Sequence, residues 1–156
     1  MKVGVVMGST SDLGVMKGAF EILDQFEVEY EKKVFSAHRT PQALVDWMEG
    51  ARSRGIVAFI AGDGGAAHLA GVVAAFTTLP VIGVPVKGKA FEGMDSLLSM
   101  VQMPPGIPVA TMAVNGAKNA ALFAVKILAV TDPSMKEKMD NFRKNQADKV
   151  LSSVLM

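Results

Sequence analysis

The hexapeptide Ser36-Ala37-His38-Arg39-Thr40-Pro41 places one of the chain's two histidines beside an arginine. An imidazole titrates near neutrality, and a guanidinium is a permanent planar cation whose fork fits phosphate or carboxylate. Proton transfer on an anionic substrate is the chemistry this pairing suits. Just before it, Val28 to Phe35 alternates apolar and charged residues, as an edge strand with one wet face does; just after it, Pro41 suits the first turn of a helix. A loop that leaves the carboxyl end of a strand and feeds a helix is where open α/β sheets bind ligands, because main-chain N–H groups converge there. The plainer reading has His38 satisfying turn backbone and Arg39 in water, and the hexapeptide alone does not choose between them.

Two more stretches have the same strand-to-helix form. Val3-Gly4-Val5-Val6-Met7 is a continuous apolar run of the buried parallel-strand kind, and it meets Gly8-Ser9-Thr10-Ser11-Asp12. Ser9 and Ser11 bring hydroxyls to the start of a helix whose free N–H groups add positive potential, so a phosphate could bind without a Walker-type lysine. Ser11 or Asp12 serves equally well as a simple helix cap. Ile56 to Ala61 opens into Gly62-Asp63-Gly64-Gly65-Ala66-Ala67-His68-Leu69, where three glycines and two alanines leave the backbone bare. Such bareness lets a flat ligand approach main-chain groups, so this loop reads as a ligand wall. His68 lacks a partner histidine, cysteine or paired carboxylate at ligand spacing. It therefore reads as a structural or supporting residue, and no metal site is expected.

The elements that must position these loops alternate in type. Leu13, Met16, Phe20 and Leu23 repeat at helical spacing over Asp12 to Gln25. Leu44, Val45, Trp47 and Met48 form the inner face of a second helix, which the pattern ends at Arg52, Arg54 and Gly55, with Trp47 as a core residue. Ala66 through Phe76 is almost wholly apolar. Pro80 to Val86 is a fourth strand, followed by a glycine-spaced loop, Lys87 to Met94, that reads as ligand-facing, and by a short helix with Asp95 as its cap. Val109 to Val114 is a fifth strand and Asn115-Gly116 a turn. Ala117 to Val130 is apolar nearly all round, with Lys118, Asn119 and Lys126 as exceptions. Two helices without a clear polar face imply burial against other subunits. The last helix, from residue 132 to 156, carries Met135, Met139, Phe142 and Val150 on a stripe that needs a surface, such as a neighbouring subunit's. Together these predict a single α/β domain: three α/β/α layers around a five-stranded parallel sheet, flavodoxin-like, in strand order 2-1-3-4-5, with a C-terminal helix.

The totals narrow the partners. A chain of 156 residues, half of it apolar, suits one domain with a real core. Lys plus Arg number 16 against 15 for Asp plus Glu, which gives no electrostatic case for nucleic acid or an acidic membrane surface and points to small molecules. With no cysteine, disulfides and thiolate metal sites are excluded. The N-terminus opens on a strand with no charged-then-apolar leader, and every apolar run is far shorter than the ~20 residues of a membrane span. A soluble, cytoplasmic protein is the expectation.

The loops in their order resemble the PurE family of purine (IMP) biosynthesis, the 5-(carboxyamino)imidazole ribonucleotide mutases. Gly8-Ser9-Thr10-Ser11-Asp12 fits that family's first loop, Ser36 to Pro41 its signature hexapeptide and Gly62 to Gly71 its glycine-alanine loop; Asp95-Ser96-Leu97-Leu98-Ser99 and Gln102-Met103-Pro104 fit its fourth-strand loop. The resemblance covers nearly the whole chain. It implies a cytoplasmic homo-octamer with active sites at subunit junctions and without metal or organic cofactor. The reaction it implies moves a carboxylate from the exocyclic nitrogen of an aminoimidazole ribonucleotide to a ring carbon.

Carried over by position, the resemblance makes Ser9, Asp12 and Arg39 the ribose-phosphate contacts and His38 the catalytic acid/base. Ser36 and the backbone around Gly64, Gly65 and Ala66 would hold the base and the migrating carboxyl group. His68 would shape the pocket, with Leu69 also among the substrate contacts. Two positions depart from the pattern: Asp63 stands where the family usually has alanine, and Ala70 where it usually has proline. Asp63 is expected to point outward or toward backbone N–H groups. A carboxylase branch that uses free carbon dioxide on the same histidine chemistry is the near alternative. A flavodoxin-like binding module for a phosphorylated ligand is the alternative of another class; against it, Trp47 and Tyr30 are the only aromatics besides phenylalanine, and neither lies in a ligand loop.

Overall fold

The computed structural model describes residues 1–154, so Leu155 and Met156 of the expected last helix lie outside the described residues. Strands β1 (Lys2–Met7), β2 (Glu29–Val34), β3 (Ile56–Gly64), β4 (Val81–Val86) and β5 (Ala110–Thr111) form one parallel sheet in the order β2-β1-β3-β4-β5. That is the expected order, with β2 at an edge. Every loop leaving a carboxyl end therefore opens on one side of the domain, and the crossover reverses direction beside β1, where such folds bind ligands.

Helices cover both faces. On one lie α1 (Leu13–Gln25) and α5 (Ala117–Ala129), with α6 (Pro133–Leu151) outside them; on the other lie α2 (Pro41–Met48), α3 (Leu69–Ala75) and α4 (Met94–Val101). Alternate residues of β1 divide between two cores: Val3, Val5 and Met7 join Met16, Leu23, Ala121 and Val125, whereas Val6 joins Leu44, Phe59, Leu69 and Met100. Trp47 packs edge-on against Phe59, with ring centroids 5.5 Å apart, and its indole N–H donates to Glu31 at 3.1 Å. It is a core residue with its polar tip satisfied.

Several expected boundaries move. Helix α2 stops at Met48 rather than near Gly55, because Glu49 is extended and Gly50 takes a φ of +67°. Gly62, Asp63 and Gly64, expected as loop, are the end of β3, paired with Val84, Pro85 and Val86. Helix α3 begins at Leu69 rather than Ala66. Asp95 does not cap α4; Gly93 holds that position, and Asp95 accepts the Ser96 N–H from within the first turn. Only Ala110 and Thr111 of the expected fifth strand pair.

The apolar helices also find more cover inside the chain than their composition suggests. Ala117, Ala120, Ala121, Ala124, Val125 and Leu128 of α5 are buried between the sheet, α1 and α6. The stripe on α6 divides: Met135 and Met139 are buried in the same core and Phe142 meets Phe26 at 5.4 Å, while Val150 is 73% exposed. Met139→Ala should lower the unfolding free energy by ~2–5 kcal/mol, and Val150→Ala should change it by less than ~0.5 kcal/mol, both read from urea unfolding of dissociated single subunits. Equal costs would mean that the distal half of α6 is packed as firmly as the proximal half.

Candidate active site

At the end of β1 the chain turns through a single 3-10 turn, Thr10–Asp12, closed by reciprocal bonds: Ser9 Oγ accepts the Ser11 N–H at 3.3 Å, and Asp12 Oδ2 accepts the Ser9 N–H at 2.9 Å. Ser9 thus caps this turn, while Asp12 stands at the cap position of α1 without a side-chain bond to that helix. Asp12 is buried, and desolvation raises its carboxyl above the usual range, with the bonds from Ser9 and Ser11 pulling the other way.

The hexapeptide after β2 is a closed turn. Ser36 O accepts the Thr40 N–H at 2.9 Å, Thr40 Oγ1 accepts the Ser36 N–H at 2.9 Å, and Ser36 Oγ accepts the Arg39 N–H at 3.2 Å and, more loosely, its Nε–H at 3.4 Å. With the backbone satisfied from within, the turn can present His38 and Arg39, both exposed, to the space above β1. His38 Nε2 lies 2.7 Å from His68 Nδ1, the rings nearly perpendicular at 79°. A hydrogen bond between two imidazole nitrogens holds one proton, so one ring donates and the other accepts.

His68 arrives from the glycine-alanine loop. Gly65 takes a φ of +65° at its turn, and the loop is held from outside: Ser99 Oγ accepts the Ala67 N–H at 2.9 Å. Asp63 Oδ1 accepts the Gly64 N–H and Oδ2 the Leu69 N–H, both at 3.2 Å. The expectation that Asp63 turns toward backbone N–H groups holds, and it also lines the cleft. Its carboxylate lies so close over the end of β1 that a Cβ at residue 8 would run into Oδ1, which is why glycine stands there. Burial pushes the Asp63 carboxyl up to about 6; the Leu69 bond opposes this, Asp12 adds to it, and Gly64 and the charge of His38 oppose it less strongly.

These loops enclose a cleft of ≈ 760 Å³ lined by Ser9, Asp12, Ser36, His38, Arg39, Asp63, Gly64, Gly65 and Ala66, so nearly all the expected site residues converge. His68 and Leu69 do not line it: His68 reaches the site through its bond to His38, whereas the Leu69 side chain is fully buried in the core and only its N–H serves the site, through Asp63. The loop expected to face ligand reaches the cleft through Lys87, Gly88 and Lys89, and Asn115 joins them. Asn115 Oδ1 accepts the Lys87 N–H at 2.9 Å, and Lys87 pairs with Glu92. The glycine spacing of that loop was the available signal, whereas Asn115 read only as a turn. A larger groove of ≈ 1150 Å³ opens around Met48, Phe76 and Ile107, but it is lined by neither histidine, whereas His38 and Arg39 line the smaller cleft, which is the candidate site. Tyr30 stacks on Phe20 and Trp47 packs from α2 against Phe59, so neither offers a cleft surface to a flavin. Among the described residues, no three His, Asp or Glu side chains gather as metal ligands.

The sequence pattern of AIR carboxylase matches residues 2–149. The chain belongs to the AIR carboxylase family. It is similar to the N5-carboxyaminoimidazole ribonucleotide mutase of Pyrococcus abyssi, 60% identical over 92% of this chain and 83% of that one. The protein of the same name from Bacillus subtilis is 58% identical over 97% of this chain and 94% of its own. Among solved structures, Treponema denticola PurE superposes with a TM-score of 0.85 at 28% identity, covering 96% of this chain and 93% of that one. Within an AIR carboxylase family chain, Asp63 then has a measurable signature. Its proton leaves more readily in the unfolded chain, so this group's contribution to stability is complete below its usual value of 3.8 and is lost as pH rises through about 6. The stability of the wild type relative to Asp63→Asn should therefore decline between about pH 4 and about pH 7 in urea unfolding. A difference that grows over this interval would contradict the shift.

Proposed function

We propose that the chain is an N5-carboxyaminoimidazole ribonucleotide mutase, converting 5-(carboxyamino)imidazole ribonucleotide to the 4-carboxylate of aminoimidazole ribonucleotide in purine biosynthesis. His38, held by His68 and lining a cleft that Arg39, Ser9 and Asp12 also line, is the observation that carries the reading. The relatives at 58–60% identity bear the mutase name, which favours the mutase over the carboxylase that consumes free carbon dioxide.

The reaction needs one proton donor that becomes one acceptor. As the exocyclic N–C bond breaks, its electron pair stays on nitrogen, which takes a proton from His38, and carbon dioxide is set free in the cleft. The ring carbon then attacks that carbon dioxide, one of its C–O π pairs moves onto oxygen to give the new carboxylate, and the ring carbon's proton returns to His38. No proton or electron is gained or lost overall, so no co-reactant is needed. An imidazole suits both half-reactions because its reference pKa of about 6.5 keeps both forms accessible near neutrality. With Nε2 of His38 committed to His68, Nδ1 is left to exchange the proton. Arg39, whose terminal guanidinium nitrogens are not bonded within the turn, supplies the bidentate fork for phosphate, alongside Ser9 and Asp12 at the ribose. Ser36 and the bare backbone of Gly64, Gly65 and Ala66 face the base and the migrating carboxyl group.

The same reading makes the protein a cytoplasmic homo-octamer. Its support is an exposed apolar row, Phe91, Met94, Leu98 and Val101, on one face of α4 and the turn before it, beside the cleft loop. The distal half of α6 packs on a neighbouring copy. Among the described residues, no helix is long and apolar enough to cross a membrane.

Product should form from the carbamate substrate without added bicarbonate; product only from aminoimidazole ribonucleotide plus carbon dioxide would make the chain a carboxylase instead. His38→Asn should keep nucleotide binding while turnover falls at least ~100-fold. Arg39→Lys should weaken nucleotide binding although the charge is kept, because the fork is lost; unchanged affinity would remove Arg39 from the phosphate site.

A further inference from the structure

We infer that Asp63 is a positioning residue for the histidine pair: its carboxylate serves α3 as a cap supplied from β3 and so fixes His68 against His38. The inference rests on the acid/base reading of His38 for its effect on turnover, and on geometry alone for its effect on the pair.

Helix α3 begins without the usual device. His68 occupies the cap position with a φ of −82° and ψ of −11° and makes no side-chain cap bond. An uncapped helix start leaves N–H groups without acceptors. The first of them, on Leu69, is taken by Asp63 Oδ2, six residues upstream at the end of a strand, while Oδ1 takes the Gly64 N–H. One carboxylate thus spans the mouth of the Gly64–His68 loop, tying its first residue to the residue after its last. The loop cannot do this for itself, since Gly64, Gly65, Ala66 and Ala67 carry no polar side chain. Its other outside support, Ser99, reaches the Gly65 and Ala67 backbone but not His68. Asp63 is itself seated, because its Oδ1 lies over the bare Gly8 and its strand is paired on both sides, with β1 and β4. The charged groups facing it are Asp12 from the loop after β1 and His38 from the loop after β2; β4 brings only Pro85 beside it. Rigidity passes from the sheet through Asp63 to Leu69 N, and from there to the neighbouring His68.

Ala70 provides the control. It lies in the first turn of α3, and its N–H has no hydrogen-bond partner among the described residues. Proline there loses no bond and pre-sets the first-turn φ, so it fixes the helix start by a route that does not use Asp63.

The chain has two histidines, so diethyl pyrocarbonate modification reads this pair and nothing else of its kind. In Asp63→Ala, modification should quicken several-fold, and kcat should fall about tenfold with KM little changed, the scale expected when a catalytic group is loosened rather than removed. Adding Ala70→Pro to Asp63→Ala should restore both. Asp63→Asn, which keeps one acceptor oxygen, should fall between wild type and Asp63→Ala. Unchanged modification in Asp63→Ala overturns the inference whatever happens to kcat, and so does a loss of kcat that Ala70→Pro does not relieve. The modification rate needs no substrate, so it stands even where the mutase reading itself fails.

Discussion

A single contact closes the site: His38 Nε2 to His68 Nδ1 at 2.7 Å. Its two residues belong to loops that leave β2 and β3, the strands flanking β1, so the contact can form only above the end of β1. That end must be low and narrow. Gly8 meets the requirement, as the Asp63 carboxylate takes up the space a side chain would fill. The parallel sheet order, the bare end of β1 and the histidine pair are therefore one constraint seen at three scales. Move the register by one residue, and β1 would present a different side chain there and the loops would no longer meet.

The charges in the cleft are divided by depth. Asp12 and Asp63 lie at its floor, where burial raises both carboxyls, Asp63 to about 6. Arg39, Lys87 and Lys89 are exposed around its rim. A doubly anionic ligand would meet the exposed cations of Arg39 and Lys89 at the rim, with Lys87 partly offset by Glu92, while at the floor Asp63 gives up its proton only as pH rises through about 6. Under the mutase reading, deep acids and shallow bases would let phosphate bind without placing a permanent cation where the carboxyl group must migrate.

Much of this could be read in the sequence. The apolar runs at Val3 and Ile56 and the hexapeptide at Ser36 marked three strand ends, and their convergence follows from the parallel order, which periodicity already implied. What periodicity could not convey was cover. Most apolar residues of helix α5 are covered within the chain by α1, α6 and the sheet, with Phe123 left 40% exposed, a fact of tertiary placement that its own residues do not convey. The real unpartnered row, from Phe91 to Val101, begins in a turn where Phe91 and Glu92 both take φ near +53°, so it does not follow from a continuous helical pattern. Asn115 was hidden for another reason: 28 residues separate it from the Lys87 loop, and only the β4–β5 pairing sets them together.

Access and rigidity make opposite demands on the glycine-alanine loop. A flat base needs main-chain groups within reach, so side chains must be small, yet small side chains provide no anchors and glycine has the most conformational freedom to lose. The loop could settle the conflict with its own hydrogen bonds, but one of its few internal main-chain bonds, His68 N to Ala66 O, spans only its last residues. The anchors come instead from elements already fixed by packing. Ser99 lies on α4, whose neighbouring Ser96 is fully buried and donates to the main chain at the end of β4, so the helix that holds Ala67 is itself pinned to the sheet. Asp63 lies on β3, at the centre of that sheet. Each support has one polar group in the loop and its own backbone in the core, and the histidine that follows inherits the precision of the core without a bulky neighbour to block the cleft.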